Sequence, residues 1–465
     1  MNIKLAYVGG GSKQWARVFM NDLALCGDLQ GEIALYDIDL QAAERNAAIG
    51  EYINQSPNAV SKWKYTVCRS LQEALTGADF VALSILPGTF DEMQSDVHLP
   101  ERYGAYQSVG DTVGAGGVLR AMRTVPLYEG FARAIRSYCP DAWVVNFTNP
   151  MSICVKTLYD VFPQIKAFGC CHEVFHAQNF LCAVLADRLG IPRPDRTELC
   201  CDVSGINHFT WITQATYNGQ DVFALLPSFI DEYFDRGYCE RTDDPFAYSH
   251  DCFLCGNKVK MDLFRRYGVL GAAGDRHLAE FMNASWYLAN PQTVANWGFA
   301  LTSVDFRKKQ QAERVAQSIR LANGEEVVQV TKSSEEAVEL IKAICGLGRR
   351  ISNVNVPNVG QMPDLPLGVV VETNCVFDGN TISPISAAPL PSAVANLVRT
   401  NACNTETCYY GIKHRNLDEI FQSFVNQPTL SGLSLQDART LFADMMANTR
   451  AYLDEYFDLS SFSRK

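Results

Sequence analysis

The stretch Ile3-Lys4-Leu5-Ala6-Tyr7-Val8-Gly9-Gly10-Gly11-Ser12 decides the fold. An apolar run ending in glycines reads as a buried strand, with Ser12 as the cap of a helix running to about Cys26. Glycines between a strand and a helix let the backbone approach a pyrophosphate closely, and the helix N-terminus turns free N–H groups toward its charge. The spacing is Gly9-x-Gly11-x-x-Gln14, so the usual third glycine is missing and a bare glycine turn stays open as the plainer reading. A second strand over 32–36 ends at Asp37, an acid placed to bond ribose hydroxyls and to repel a 2′-phosphate. Gly9, Gly10, Gly11, Ser12 and Asp37 are therefore the candidate NAD-binding residues.

Outward from this loop, further strands at 65–68, 80–86, 142–147 and 165–169 alternate with helices at 40–55, 117–139 and 150–162. Such alternation implies a parallel sheet with right-handed crossovers. The fold class is α/β, a Rossmann-like doubly wound parallel sheet followed by a second α+β domain. The rhythm breaks after about Asp195. Residues 199–217 read as paired strands, and helices dominate from there to the end. This predicts a dinucleotide-binding domain over 1–195 and a domain for substrate, metal and oligomerisation over 196–465. The Pro/Asn-rich stretch 353–366 reads as an ordered loop inside the second domain.

Composition excludes several function classes. The chain has 465 residues, 47% hydrophobic and 20% charged, with a formal net charge of −11. That charge argues against a nucleic-acid partner, which requires a basic face, and against an anionic membrane surface. No stretch reaches the roughly 18 apolar residues of a membrane span, and the N-terminal run is too short for a signal peptide. Several of the sixteen cysteines lie in apolar runs (Cys154, Cys182, Cys345) and read as buried free thiols, so a cytoplasmic location is expected.

Two motifs carry candidate metal ligands, Cys171-His172-Glu173-Val174 and Gly205-Ile206-Asn207-His208. A thiolate and an imidazole suit a divalent transition ion, and two protein ligands leave positions open for substrate oxygens. A buried thiol and a hydrogen-bonded histidine are the plainer readings of Cys171 and His208. Cys252-x-x-Cys255, with Cys239 upstream, raises a rival structural zinc site that lacks a fourth ligand.

Taken with Gly110-Asp-Thr-Val-Gly-Ala-Gly-Gly117, Arg120, Arg123, Asn146-Phe-Thr-Asn-Pro150 and Gly274-Asp-Arg-His-Leu-Ala-Glu280, these motifs resemble glycoside hydrolase family 4. The family stands apart from two-carboxylate glycosidases in requiring NAD. The resemblance implies oxidation of the sugar at C3 by NAD, loss of the C2 proton, elimination of the glycosidic oxygen, water addition and return of the hydride. It assigns a divalent metal, manganese, to Cys171 and His208, and sugar hydroxyls to Asn149 and Asp111. Asp275 is the expected C2 base, with nearby Tyr267 as the alternative, since some relatives use a tyrosine. His172 is expected to assist the leaving oxygen or bind a hydroxyl, with a ligand-orienting role equally open, and His277 is left as catalytic or structural.

Within the family, Cys-His-Glu-Val resembles the α-galacturonidase group, which implies an α-galacturonide or a short pectic oligosaccharide as substrate. A uronate needs a cation, and Arg276, Arg123 and Arg120 are the candidates. The acidic Glu173 has no evident place beside an anionic sugar. An α-galactosidase or α-glucuronidase of the same family, a hydroxy-acid NAD dehydrogenase and a non-catalytic sugar–NAD sensor are the competing functions. The family also implies a homodimer or homotetramer.

Overall fold

Six strands alternate apolar side chains between two cores, and this builds the first half of the molecule. The computed structural model describes residues 1–462 except 243 and 245. Strands β1 (Asn2–Val8), β2 (Gln30–Tyr36), β3 (Trp63–Cys68), β4 (Phe80–Leu83), β5 (Trp143–Asn146) and β6 (Lys166–Gly169) run parallel in the order β3-β2-β1-β4-β5-β6. Along β1, Ile3, Leu5 and Tyr7 pack with Phe19, Met20 and Leu23 of the helix Trp15–Ala24. Ala6 and Val8 point the other way, into a core with Tyr128 and Ile135 of the helix Gly114–Tyr138 and Leu158 of the helix Met151–Val161. Both faces are covered, which is why the central strands β1, β4 and β5 read as largely continuous apolar runs. The order reverses between β1 and β4, the position where doubly wound sheets open a crevice for ligand.

The remaining strands differ from the sequence expectation. β7 (Cys200–Ile206) and β8 (Phe209–Tyr217) form the expected antiparallel pair, joined by short β9 (Gln220–Asp221) and β10 (Leu270–Gly271) in a second sheet. Three strands not expected from sequence, β11 (Arg349–Pro357), β12 (Val370–Asp378) and β13 (Thr381–Pro384), return to the first sheet and extend it antiparallel beyond β6, through Asn355 opposite Gly169. The stretch 353–366 is thus only partly a loop. Asn353 and Asn355 resemble turn residues in sequence, yet both are buried, and the Asn353 amide donates to Glu372 on β12 at 2.9 Å.

The C-terminal helices clasp the first half. Ile412, Ile420, Phe421 and Phe442 share a core with Ala115, Leu119 and Met122 of the 114–138 helix. Among the described residues no helix is long and apolar enough to cross a membrane.

Candidate active site

The glycine loop is shaped by close packing on every side. Gly9 has φ +95°, and a Cβ there would lie 1.9 Å from Ser84 O. A Cβ on Gly10 would come within 2.9 Å of Leu35 Cα, and one on Gly11 within 2.8 Å of Asp37 Oδ2. Gly9 and Gly10 both donate to Tyr36 O at 2.9 Å, and the Asn46 amide ties down Gly10 O at 2.7 Å and Ser12 O at 2.8 Å. Asp37 accepts from Gly11 N at 2.8 Å and from Asp39 N at 2.9 Å, so it braces the loop from the end of β2. The helix begins at Trp15 rather than directly after Ser12, and Ser12 Oγ accepts from Ala16 N at 3.4 Å. A cradle closed to side chains, at the switch point and ahead of a helix, fits a dinucleotide pyrophosphate.

The second focus is the turn between β7 and β8. Ile206 pairs with Phe209, leaving Asn207 and His208 as a two-residue turn, and His208 takes φ +63°, an uncommon backbone conformation for a side-chain-bearing residue. One ligand atom from each of Asp111, His208 and His277 lies within 4.8 Å of the other two. The two imidazoles lie against each other, tilted by 36°, with centroids 3.8 Å apart. Burial, reinforced by neighbouring His277, pushes His208 down to about 3, and burial also lowers His277. Burial thus favours the neutral form of both, while the carboxylate of Asp111 favours the protonated form. Burial opposes ionisation of Asp111, but His208, Arg120 and His277 outweigh it and hold the carboxyl well below its usual range. Two neutral imidazoles and one carboxylate suit a divalent first-row ion such as manganese or zinc.

Cys171 is buried near this cluster and is not one of the three clustered donors. Burial, Glu372 and Glu173 push its thiol well up, with Asn207, the neighbour of His208, acting in the opposite direction. His172 stacks on Trp15 with centroids 5.7 Å apart, and its Nδ1 lies 3.4 Å from Glu335 Oε1. The next helix, Glu173–Leu189, adds His176, so that His172, Glu173 and His176 form a second compact donor group. Glu173 accepts from Gly274 N at 2.7 Å and stands 3.7 Å from both His172 Nε2 and His277 Nε2. Its carboxylate is thus engaged by the backbone and by the histidines on either side.

Next to Asp111, Asn149 precedes Pro150 through a cis bond, and its Nδ2 donates to Asp111 Oδ2 at 3.5 Å. Its Oδ1 is buried without a partner, as is His277 Nδ1, so both offer unspent polar atoms at the cluster. Arg120 donates from Nε to Asn149 O at 3.0 Å.

Two residues with expected roles are engaged by other parts of the protein. Asp275, expected as the C2 base, is fully buried, and its two oxygens accept from Val259 N and Lys260 N at 3.0 Å each. It caps the helix Lys258–Tyr267, whose own N-cap residue Asn257 supplies no side-chain bond. A carboxylate engaged with two buried amides is ill-placed to take a proton from substrate. Arg123, expected to meet substrate, instead forms a buried pair with Asp96, Nη1 to Oδ1 at 3.2 Å and Nη2 to Oδ2 at 2.5 Å, and also binds Pro87 O and Thr449. Tyr267 packs edge-on to Trp211 with centroids 6.0 Å apart. Arg276 lies buried, donating to Ser108 O at 3.2 Å and to Thr302. Cys255 Sγ donates to Asn257 at 3.8 Å, and none of Cys239, Cys252 and Cys255 joins a metal-capable group among the described residues.

Sequence reasoning passed over Thr112, Glu280 and His176. Thr112 and Glu280 lie inside motifs it quoted, and His176 stands four residues after His172, on the same helix face. Glu280 accepts from Val109 N at 2.8 Å and Gly110 N at 2.9 Å, which positions the loop carrying Asp111.

Known proteins resemble this chain along most of its length. The family model described as "Family 4 glycosyl hydrolase" matches residues 4–186, and that of the "Family 4 glycosyl hydrolase C-terminal domain" matches residues 203–430. An α-galacturonidase of Thermoanaerobacterium saccharolyticum is 49% identical over 453 residues, 97% of each chain. The crystal structure of lplD from Bacillus subtilis superposes with a TM-score of 0.91 at 43% identity, covering 96% of this chain and 100% of that one. A 6-phospho-α-glucosidase from gut microorganisms, solved with NAD and Mn2+, shares the fold with a TM-score of 0.77 at 17% identity, covering 97% of this chain and 99% of its own.

Proposed function

The chain belongs to glycosyl hydrolase family 4, and on that premise we propose that it is an NAD- and divalent-metal-dependent α-galacturonidase. A relative of that activity, 49% identical across nearly the whole chain, supports the substrate class. One run of contacts carries the reading within the molecule. Trp15, just past the glycine loop, stacks on His172; Glu173 then reaches His277, which packs against His208. The glycine loop and the metal donors are thus linked by direct contacts, which supports hydride chemistry on a metal-held sugar.

In this reading Gly9, Gly10, Gly11, Ser12 and Asp37 hold the cofactor. His208, with Asp111, His277 and neighbouring Cys171, holds manganese. When bound, NAD supplies reversible hydride removal from the sugar, and the metal supplies a Lewis acid for its hydroxyl oxygens. Asn149 presents its unspent Oδ1 to a sugar hydroxyl, and His172 handles the proton of the departing glycosidic oxygen. With Asp275 committed to its cap, and Asp111 and His277 given to the metal, Tyr267 is the alternative for proton removal at C2. All sixteen cysteines are free thiols, which fits a reducing compartment, so we place the enzyme in the cytoplasm as a homodimer or homotetramer.

The test is release of p-nitrophenol from its α-D-galacturonide by protein stripped with chelator and freed of NAD. Activity is expected to return only when NAD and manganese are both restored. Full turnover by the stripped protein, or none after both additions, overturns the reading.

A further inference from the structure

A galacturonide differs from a galactoside only at C6, where a carboxylate replaces a hydroxymethyl group. Preference for the acid therefore calls for a sequestered cation with donors to spare. Arg123 is spent on Asp96, and Arg120 donates its Nε–H to Asn149 O. Two other guanidinium groups meet the requirement. Arg276 comes from the short helix Asp275–Glu280, and Arg307 from the first turn of the helix Val304–Ala322. Their guanidinium carbons lie 5.3 Å and 5.0 Å from the centroid of a single ring, Phe253.

Neither is satisfied by protein. Arg276 is 8% exposed and uses only Nη2, on Ser108 O and Thr302, while its Nε is buried without a partner. Arg307 Nε is also buried without a partner. Among the described residues no ion pair joins either guanidinium to an acid. An aromatic face partly stabilises a cation but offers no hydrogen bonds. Two adjacent cations, one buried and one half-buried, with no acid in ion-pair contact among the described residues, are costly, and an anion received between them relieves that cost. The pair is also near the metal donors, since Arg276 adjoins His277 and the charge of Asp111 acts on Arg307.

We infer that Arg276 and Arg307, set against Phe253, form the subsite for the substrate's carboxylate, with Arg307 setting the preference for uronides over neutral sugars. The inference rests on the galacturonidase reading for its ligand. A guanidinium meets a carboxylate through two parallel N–H groups, so a lysine at 307 would be only a partial replacement.

The test uses calorimetry on NAD- and manganese-loaded protein with D-galacturonate, D-galactose and D-galactose 6-phosphate. Wild type is expected to bind galacturonate at least about tenfold more tightly than either of the others. Arg307→Met is expected to weaken galacturonate about 10- to 100-fold, the scale of a charged hydrogen bond lost, and to leave galactose unchanged. Arg307→Lys is expected to recover part of the loss. Equal weakening of galacturonate and galactose, or no weakening of either, overturns the inference, as does tighter binding of the phosphate. If the galacturonate preference depends on Arg307 yet galacturonides are not cleaved, the subsite stands and the catalytic reading fails. If galacturonides are cleaved while Arg307→Met keeps full selectivity, the catalytic reading stands and the subsite fails.

Discussion

Thr112 Oγ1 and His208 Nδ1 meet at 2.9 Å across 96 positions of sequence. The same hydroxyl donates its proton to Asp111 Oδ1 at 2.8 Å, so it accepts from His208 Nδ1–H. That bond fixes the histidine tautomer and leaves the Nε2 lone pair for a metal. Partners behind a metal ligand typically contribute about 10- to 100-fold in affinity. Thr112→Val is accordingly expected to weaken manganese binding by that factor while NAD affinity stays unchanged. Titration calorimetry showing unaltered manganese affinity would remove Thr112 from this role.

Asp275 separates a capping role from a catalytic one. Asp275→Ala leaves the Val259 and Lys260 amides buried and unpaired, at about 1–3 kcal/mol for each lost partner. The expected result is a clear fall in thermal stability, with kcat of the folded fraction within about tenfold of wild type. Loss of a general base would instead cost about 10²–10⁴ in rate at unchanged stability.

Glu280 gives stability a pH signature. Burial raises its carboxyl from the usual 4.5 to about 8, with Asp111 adding to the rise and the Val109 and Gly110 amides opposing it. Between those values the folded protein keeps a proton that the unfolded chain has released. Its contribution is therefore complete below about pH 4.5 and is lost as pH climbs to about 8. In metal-free protein, Glu280→Gln is expected to flatten the decline of the urea midpoint between pH 5 and 8. Parallel profiles for variant and wild type would contradict this.

The parallel half of the fold was legible because the central strands β1, β4, β5 and β6 are apolar runs, followed or closed by glycines and prolines, between helical stretches. β11 and β12 were not, since Asn353, Asn355 and Glu372 spell turns or surface until the neighbouring strand that buries them is known. The same contrast holds in the site. His208, Cys171, Asp111 and Asn149 stand in compact motifs, and the structure gathers them around one turn. The fate of Asp275 depends on where a helix beginning at Lys258 ends up in space, and that of Arg123 on Asp96 across a helix pair; neither placement has a local signal. Arg307 sits in an outwardly ordinary charged helix, and only its unpaired guanidinium beside Phe253 sets it apart.

The central claim is that this site cleaves a galacturonide by breaking the C2–H bond of the sugar. Hydrolysis of p-nitrophenyl α-D-galacturonide by the NAD- and manganese-loaded enzyme in D₂O, with NMR of the released galacturonate, tests it directly. The account predicts deuterium at C2 of the product, because the abstracted proton exchanges with solvent before water adds. Galacturonate that keeps its original hydrogen at C2 would contradict it, since ordinary acid-assisted hydrolysis never breaks that bond.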